Sequence, residues 1–417
     1  MRRLTAFFPT AMAGTILAAG AMLVTAGAGH AATTSTPALG SNWYGSAPYY
    51  YTLDSDAPDL GQVMSATGQK AFELAFILAP NGGGCTPTWD GTDPVSSDTQ
   101  VAAVINEVRA DGGDVSVSAG GYGGTKLGQE CGTPAATAAA YQQVITAYGL
   151  HAIDFDLEEP EIENSTAINN ELGAAQILQA DNPGLYVSVT IPSTTTGANY
   201  FGGLLLDNAK SLGFTPDNYS IMPFDGGFSG GSSQVTALQD FNAQLMSTFG
   251  WSSATAYAHE GVSMMNGRTD TAEYFYQSDF QTVLSFAESV GMSRYTFWDV
   301  NRDRECNPPD NNGDLSGECS SVTQNPYDFT KYTTEFAGAT PPVSMPTSTI
   351  TASPSNSTSA SPTSGSGGSC ATAWSSSASY TSGQEVSYNG DNWTANQWND
   401  DEVPGGSSGA WTSDGPC

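Results

Sequence analysis

The chain has 417 residues, 42 of them acidic against 11 Lys plus Arg, for a formal net charge of −31. A field of that sign repels nucleic acid and anionic membrane surfaces, so neither is expected as a partner. With 39% hydrophobic residues it carries too much apolar surface for wholesale disorder, and three His leave little for a His-rich metal centre. No metal or cofactor is expected.

Residues 1–31 read as a signal peptide. Arg2 and Arg3 precede an apolar stretch from Met12 to Ala28, and Gly29-His30-Ala31 supplies a small-x-small cleavage pattern. A membrane anchor is the competing reading; small Ala and Gly dominate the stretch, and no basic stop-transfer cluster follows. The expected product is secreted, extracellular and monomeric. In an oxidising compartment the six Cys become candidates for disulfides. Spacing favours Cys85–Cys131, Cys306–Cys319 and Cys370–Cys417 without proving that pairing. A zinc site is the alternative, but no two Cys show the C-x-x-C spacing it normally uses.

A body at 40–338 alternates two patterns. Short β-rich runs fall at Ala47–Thr52, Ala71–Leu78, Asp114–Ser118, Ala152–Leu157, Leu185–Ile191, Tyr219–Phe224, Gly261–Met265 and Arg294–Val300. Helical stretches lie between them, among them Thr99–Ala110, Ala135–Tyr148, Ile168–Ala180, Ser233–Thr248 and Thr271–Val290. Strands each followed by a helix predict an α/β fold, a (β/α)₈ TIM barrel. A doubly wound open sheet is the other possibility, but no G-x-G-x-x-G follows the first strand. Residues 339–369 are mostly Ser, Thr, Pro and Gly and read as a linker. A short tail, 370–417, begins and ends in Cys, as a small disulfide-closed all-β module would.

The sharpest feature is His151-Ala152-Ile153-Asp154-Phe155-Asp156-Leu157-Glu158-Glu159. Side chains alternate faces along a strand, so Asp154, Asp156 and Glu158 share one face and Ile153, Phe155 and Leu157 the other. In a barrel the apolar set packs on the helices. The acids then point inward, with Glu158 at the C-terminal mouth where barrel enzymes do their chemistry. Acids stacked in a poorly solvated site cannot all ionise, so protons are shared and a Glu can stay protonated, as a general acid requires. Glu159, Glu161 and Glu163 are expected in a solvated loop beyond the strand.

These residues resemble the fourth strand of the family 18 glycoside hydrolases, the chitinase family, whose core D-x-D-x-E is matched by Asp154, Asp156 and Glu158. Ser118-Ala119-Gly120-Gly121 matches the family's S-x-G-G. Met222-Pro223-Phe224-Asp225 resembles its sixth-strand Met-x-aromatic-Asp, and Trp298 looks like the Trp that ends the eighth strand. The resemblance implies hydrolysis of β-1,4 bonds in chitin and chito-oligosaccharides, with the substrate's acetamide as nucleophile. It implies that Glu158 is the acid, that Asp156 orients the acetamide N–H, and that Asp154 shares a proton with Asp156. Asp225, Met222, Phe224, Tyr49 and Ser118 would contact substrate, above an apolar platform formed by Trp298. Many members carry Tyr where Phe224 stands; Tyr49 or Tyr122 could supply that hydroxyl instead.

The tail, with Ala373-Trp374, Tyr388-Asn389-Gly390-Asp391-Asn392-Trp393, Trp398 and Pro404-Gly405, resembles the chitin-binding modules of carbohydrate-binding families 5 and 12. Trp398 and Trp411 are its candidate chitin contacts, and Trp393 its candidate core. An endo-β-N-acetylglucosaminidase acting on N-glycans and a non-enzymatic chitin lectin are the alternatives. The tail argues against the first and the retained Glu158 against the second. Gly227-Phe228-Ser229-Gly230-Gly231 also fits the G-x-S-x-G of serine hydrolases, with His259 downstream. In a chain with 47 Gly, such matches arise by chance. Asp310, Asn312 and Asp314 start like a calcium loop, but Ser316 and Ser321 then break the pattern.

Overall fold

Alternation of polar and apolar residues closes the body into a barrel. In chain order its parallel strands are β1 (Tyr49–Tyr51), β2 (Ala71–Leu78), β3 (Asp114–Gly120), β4 (Ala152–Asp156), β5 (Tyr186–Thr194), β6 (Asn218–Met222), β7 (Glu260–Met265) and β8 (Arg294–Trp298). Each pairs with the next in parallel register. The seam between β8 and β1 is closed by Tyr295 N–H on Gly45 O (2.8 Å) and Val300 N–H on Tyr49 O (2.9 Å). The computed structural model describes residues 33–309, 315–339, 370–375, 379–380, 384–395, 399–400, 403–405 and 411–417. The expected signal peptide, nearly all of the expected linker, the Asp310–Asp314 segment and Trp398 lie outside them.

An outer helix follows each strand: α1 (Leu60–Thr67), α2 (Gln100–Ala110), α3 (Pro134–Tyr148), α4 (Ser165–Asp181), α5 (Tyr200–Leu212), α6 (Gly230–Phe249), α7 (Gln277–Val290) and α8 (Asp328–Phe336). The core lies between strands and helices. On β4, Ile153 and Phe155 face outward, and Phe155 meets Tyr141 of α3 edge-on at 5.3 Å. Each such fully buried side chain contributes about 1.5–3 kcal/mol. The ends are set by local chemistry. Asn164 accepts from Thr166 N–H and Ala167 N–H to start α4 directly after the acidic loop.

The stretch Thr271–Val290 departs from expectation. Its first part forms no helix: Tyr274–Phe275 pairs antiparallel with Gly267–Arg268, and α7 begins at Gln277. Glu273 is drawn away by backbone N–H groups of a neighbouring loop, and Asp279 caps the helix by accepting from Tyr276 N–H at 2.8 Å. Tertiary hydrogen bonds override helical propensity here.

The favoured cysteine pairing is the one found: Cys85–Cys131, Cys306–Cys319 and Cys370–Cys417. In the tail, Glu385–Tyr388, Asp391–Ala395 and Trp411–Pro416 form an antiparallel sheet. Trp411 does not sit on its surface. It is 7% exposed, meets Tyr380 edge-on at 5.2 Å, and packs with Val386 and Ala395. A module this short has few aliphatic residues and builds its core from aromatics, which removes Trp411 from the candidate chitin contacts. Trp393 is half-buried against the same cluster, its indole N–H on Tyr388 O at 3.2 Å. Trp411→Ala should cost about 3–5 kcal/mol. Hydrogen exchange across 370–417 should then show the module unfolded while the barrel amides keep their protection.

Candidate active site

The barrel interior is polar, and one acid organises it. Asp154 is fully buried. Its Oδ2 accepts from Tyr49 OH (3.0 Å) and Ser118 Oγ (2.9 Å); its Oδ1 accepts from Ser188 Oγ (2.6 Å), Thr190 Oγ1 (2.9 Å) and an Arg294 guanidinium N–H (3.1 Å). Arg294 also reaches Glu73 Oε1 at 2.5 Å. Burial pushes Glu73 up to about 8, with Arg294 opposing it, so Glu73 holds its proton near neutrality. Both Asp154 oxygens accept hydrogen bonds, and the described contacts include none to Asp156. One expectation is displaced. Ser118 is buried, spends its hydroxyl on Asp154 and does not line the cavity described below.

Above this layer sit Asp156 and Glu158. Asp156 is 3% exposed, and its Oδ1 has no hydrogen-bond partner among the described residues. Burial, then the charges of Glu158, Asp154 and Glu73, push it well above the usual carboxylate range. Glu158 lies one turn of the pleat further out. Burial raises it to about 7; Lys126 opposes the rise, and Glu159, Asp270 and Asp225 add to it. Glycine is required beside this pair. At Gly120, φ is 116° and a Cβ would fall 2.0 Å from Asp156 O, while Gly121 N–H donates to that same carbonyl at 2.8 Å.

These residues open on a cavity of about 1190 Å³ at the C-terminal ends of the strands. Asp156 and Glu158 line it together with Met222, Phe224, Asp225 and Trp298. Trp298 stacks on Phe76 with centroids 5.4 Å apart and planes 8° from parallel, and Tyr49 and Tyr51 flank it. Asp225 is in the left-handed region (φ 55°), and its Oδ1 accepts from Thr271 N–H and Thr271 Oγ1, each at 2.8 Å. Glu273 binds the backbone N–H groups of Asp225, Gly227 and Phe228, each at 2.7 Å, and so fixes the loop that presents Asp225. Tyr49 lines the cavity, but its hydroxyl is committed to Asp154; Tyr122 stands on the wall 73% exposed. Ser229 and His259 do not meet: Ser229 follows the C-terminal end of β6, whereas His259 precedes β7 and stacks on Trp251 at 4.8 Å.

Several wall and support residues escaped the sequence reading: Tyr51, whose hydroxyl bonds Asp90, then Phe76, Arg294 and Glu73. Two had a signal. Glu73 is the lone acid in Ala71–Leu78, and Arg294 opens an aromatic strand with Thr296 and Trp298 on its own face. A lone charge in a buried strand calls for a partner.

The family model for carbohydrate-binding module family 5/12 matches residues 373–412. The match covers most of the 370–417 tail. Across 276 residues the chain is 25% identical to a probable bifunctional chitinase/lysozyme of Escherichia coli (strain K12), covering 62% of this chain and 30% of that protein. The chain thus spans about a third of its curated relative's length. The barrel is similar to the crystal structure of the catalytic domain of a hyperthermophilic chitinase from Pyrococcus furiosus, with TM-score 0.62 and 24% identity over 70% of this chain and 94% of that one. Catalytic-site mutants of active domain 2 of thermostable chitinase from the same organism, complexed with chito-oligosaccharides, give TM-score 0.61 at the same identity and coverage. The fold is that of the glycoside hydrolases the sequence resembles.

Breaking the Arg294–Asp154 ion pair by Arg294→Leu should cost about 3–5 kcal/mol, because Asp154 loses its cation in the barrel interior. Denaturant unfolding monitored by Trp fluorescence measures the loss.

Proposed function

We propose that the chain is a secreted, monomeric, endo-acting chitinase that cleaves β-1,4 bonds between N-acetylglucosamine units and retains the anomeric configuration. The observation that carries this reading is the position of Glu158: a carboxyl raised to about 7, on the wall of a cavity that also presents Asp156, Asp225 and Trp298. A group with that proton affinity gives up its proton readily and takes it back at neutral pH.

The roles follow from the chemistry. Glu158 protonates the glycosidic oxygen as the bond to the anomeric carbon breaks. The carbonyl oxygen of the substrate's own acetamide closes on that carbon, giving a cationic oxazolinium that bears an N–H. Asp156, on the same face of β4, passes its proton to Asp154 as the ring closes, then accepts from that N–H and offsets the charge. Glu158, now ionised, takes a proton from the water that reopens the ring. Trp298 offers an aromatic face to the sugar's C–H bonds, and Asp225 contacts the same sugar. With Tyr49 committed to Asp154, Tyr122 and Tyr200 are exposed wall tyrosines whose hydroxyls remain for the acetamide oxygen.

Glu158 must enter the cycle protonated, so kcat/KM should fall as pH rises through about 7. Glu158→Gln should lower kcat on soluble chitin oligomers by roughly 10²–10⁴-fold with the circular dichroism spectrum unchanged. NMR of the first wild-type products should show β-anomers; initial α-anomers would exclude participation by the acetamide. Cleavage of a glycoprotein's N-glycans in place of chitin oligomers would reassign the substrate.

The 5/12 module fits an insoluble polymer. Tethering raises the local concentration of the barrel at the surface without changing its cavity. Removing 370–417 should reduce retention and hydrolysis on insoluble chitin and leave kcat/KM on short oligomers unchanged.

A further inference from the structure

Asp90 lines the cavity and has no part in the proposed reaction. It stands at the tip of a hairpin that follows β2, in which Thr88–Trp89 pairs antiparallel with β2 and with Asp93–Pro94. Asp90 and Gly91 have φ of 52° and 77°, and Thr92 N–H closes the turn on Trp89 O at 3.0 Å. Asp-Gly is a sequence that such a two-residue turn favours, so the left-handed backbone needs no other cause. The direction of the carboxyl is a separate matter, because the turn does not require it.

The hairpin is fixed from behind. Trp89 is fully buried, and its indole N–H donates to Tyr148 OH on α3 at 2.8 Å. The Cys85–Cys131 disulfide and a bond from Gly84 N–H to Glu130 Oε2 (2.8 Å) tie the loop to the segment before α3. In front, Asp90 is joined twice to the rings around Trp298. Its N–H donates to Phe76 O at 3.0 Å, and its Oδ2 accepts from Tyr51 OH. Phe76 is the ring stacked on Trp298, and Tyr51 lies beside Trp298 with centroids 6.2 Å apart. Among the described residues the Asp90 carboxyl takes no other hydrogen bond, and no Lys, Arg or His lines the cavity. A rigidly mounted acceptor with no cation facing it suits a ligand rich in hydroxyl donors.

We propose that Tyr51 and Asp90 hold the sugar adjoining the one on Trp298, on the side that stays with the enzyme when the bond breaks. The side follows from strand order. β4 and β8 stand opposite each other in a ring of eight, so Glu158 meets the sugar on Trp298 from across the mouth, whereas Tyr51 comes from the strand next to β8. Tyr51 OH occupies Oδ2 and leaves Oδ1 to accept from a hydroxyl of the adjoining sugar. This rests on the reading of the cavity as a site for chitin oligomers.

Two nitrophenyl glycosides separate the positions. The N-acetylglucosaminide fills only the place on Trp298, and the chitobioside also fills the place beside it. Asp90→Gly removes the carboxyl and keeps a residue suited to the turn. It should lower the ratio of kcat/KM on the chitobioside to kcat/KM on the monosaccharide glycoside about tenfold, through KM. Asp90→Asn, which keeps both the turn and an acceptor, should recover part of that ratio. An equal loss on both glycosides would make Asp90 a purely structural group, and an unchanged ratio would remove it from the site; either result overturns the proposal. If the wild type cleaves only the chitobioside, Asp90→Gly should raise KM there about tenfold with kcat held within about twofold, and a fall in kcat at constant KM overturns the proposal. Wild-type protein inert toward both glycosides and toward chitin oligomers would refute the proposed function and this role with it, whereas an active wild type with an unaffected Asp90→Gly variant refutes the role alone.

Discussion

One guanidinium makes the inward acids tolerable. Strand alternation forces Asp154 to point into the barrel once Ile153 and Phe155 pack outward, and a carboxylate there has no water to solvate it. Arg294 enters from β8, across the interior, and meets Asp154 and Glu73 together. Hydroxyls from β1, β3 and β5 complete the shell around Asp154. The pair is weak evidence for net stability, since desolvating both partners is costly. Its value is geometric: it fixes the height and rotation of β4, and the strand delivers the next two acids to the mouth.

From that point the site is graded by exposure. Asp154 has a full complement of donors, Asp156 has a bare oxygen, and Glu158 reaches the cavity. Lys126, which opposes the rise at Glu158, is seated on main-chain carbonyls and not on a side chain. The glycines of Ser118-Ala119-Gly120-Gly121 thus serve twice: they let β3 and β4 approach closely, and they turn carbonyls toward a buried cation.

The strand order, the acid strand, the disulfide pairing and the family of the tail were legible because each is written in local pattern: alternation, spacing or motif. What the sequence hid depends on contacts between distant segments. Glu161 looked solvated because three acids crowd one loop, yet the turn made by Ile162 N–H on Glu158 O and Asn164 N–H on Glu161 O folds it inward. The start of α7 was misread because Glu273 is a good helix former taken by another loop. Trp411 looked like a surface ring because composition cannot tell an aromatic core from an aromatic face in so small a module. Ser118 fits a motif, yet its hydroxyl turns down toward Asp154 rather than up toward a ligand.

The parallel packing of Trp298 on Phe76, with tyrosine rings at its edges, has one more consequence. An indole stacked on one ring and edged by two more has little room to tilt, so this aromatic wall of the cavity is stiff. A pyranose pressed onto it cannot be accommodated by yielding of the protein. In the proposed reaction, the change of pucker would then be taken up by the sugar and not by the ring pair.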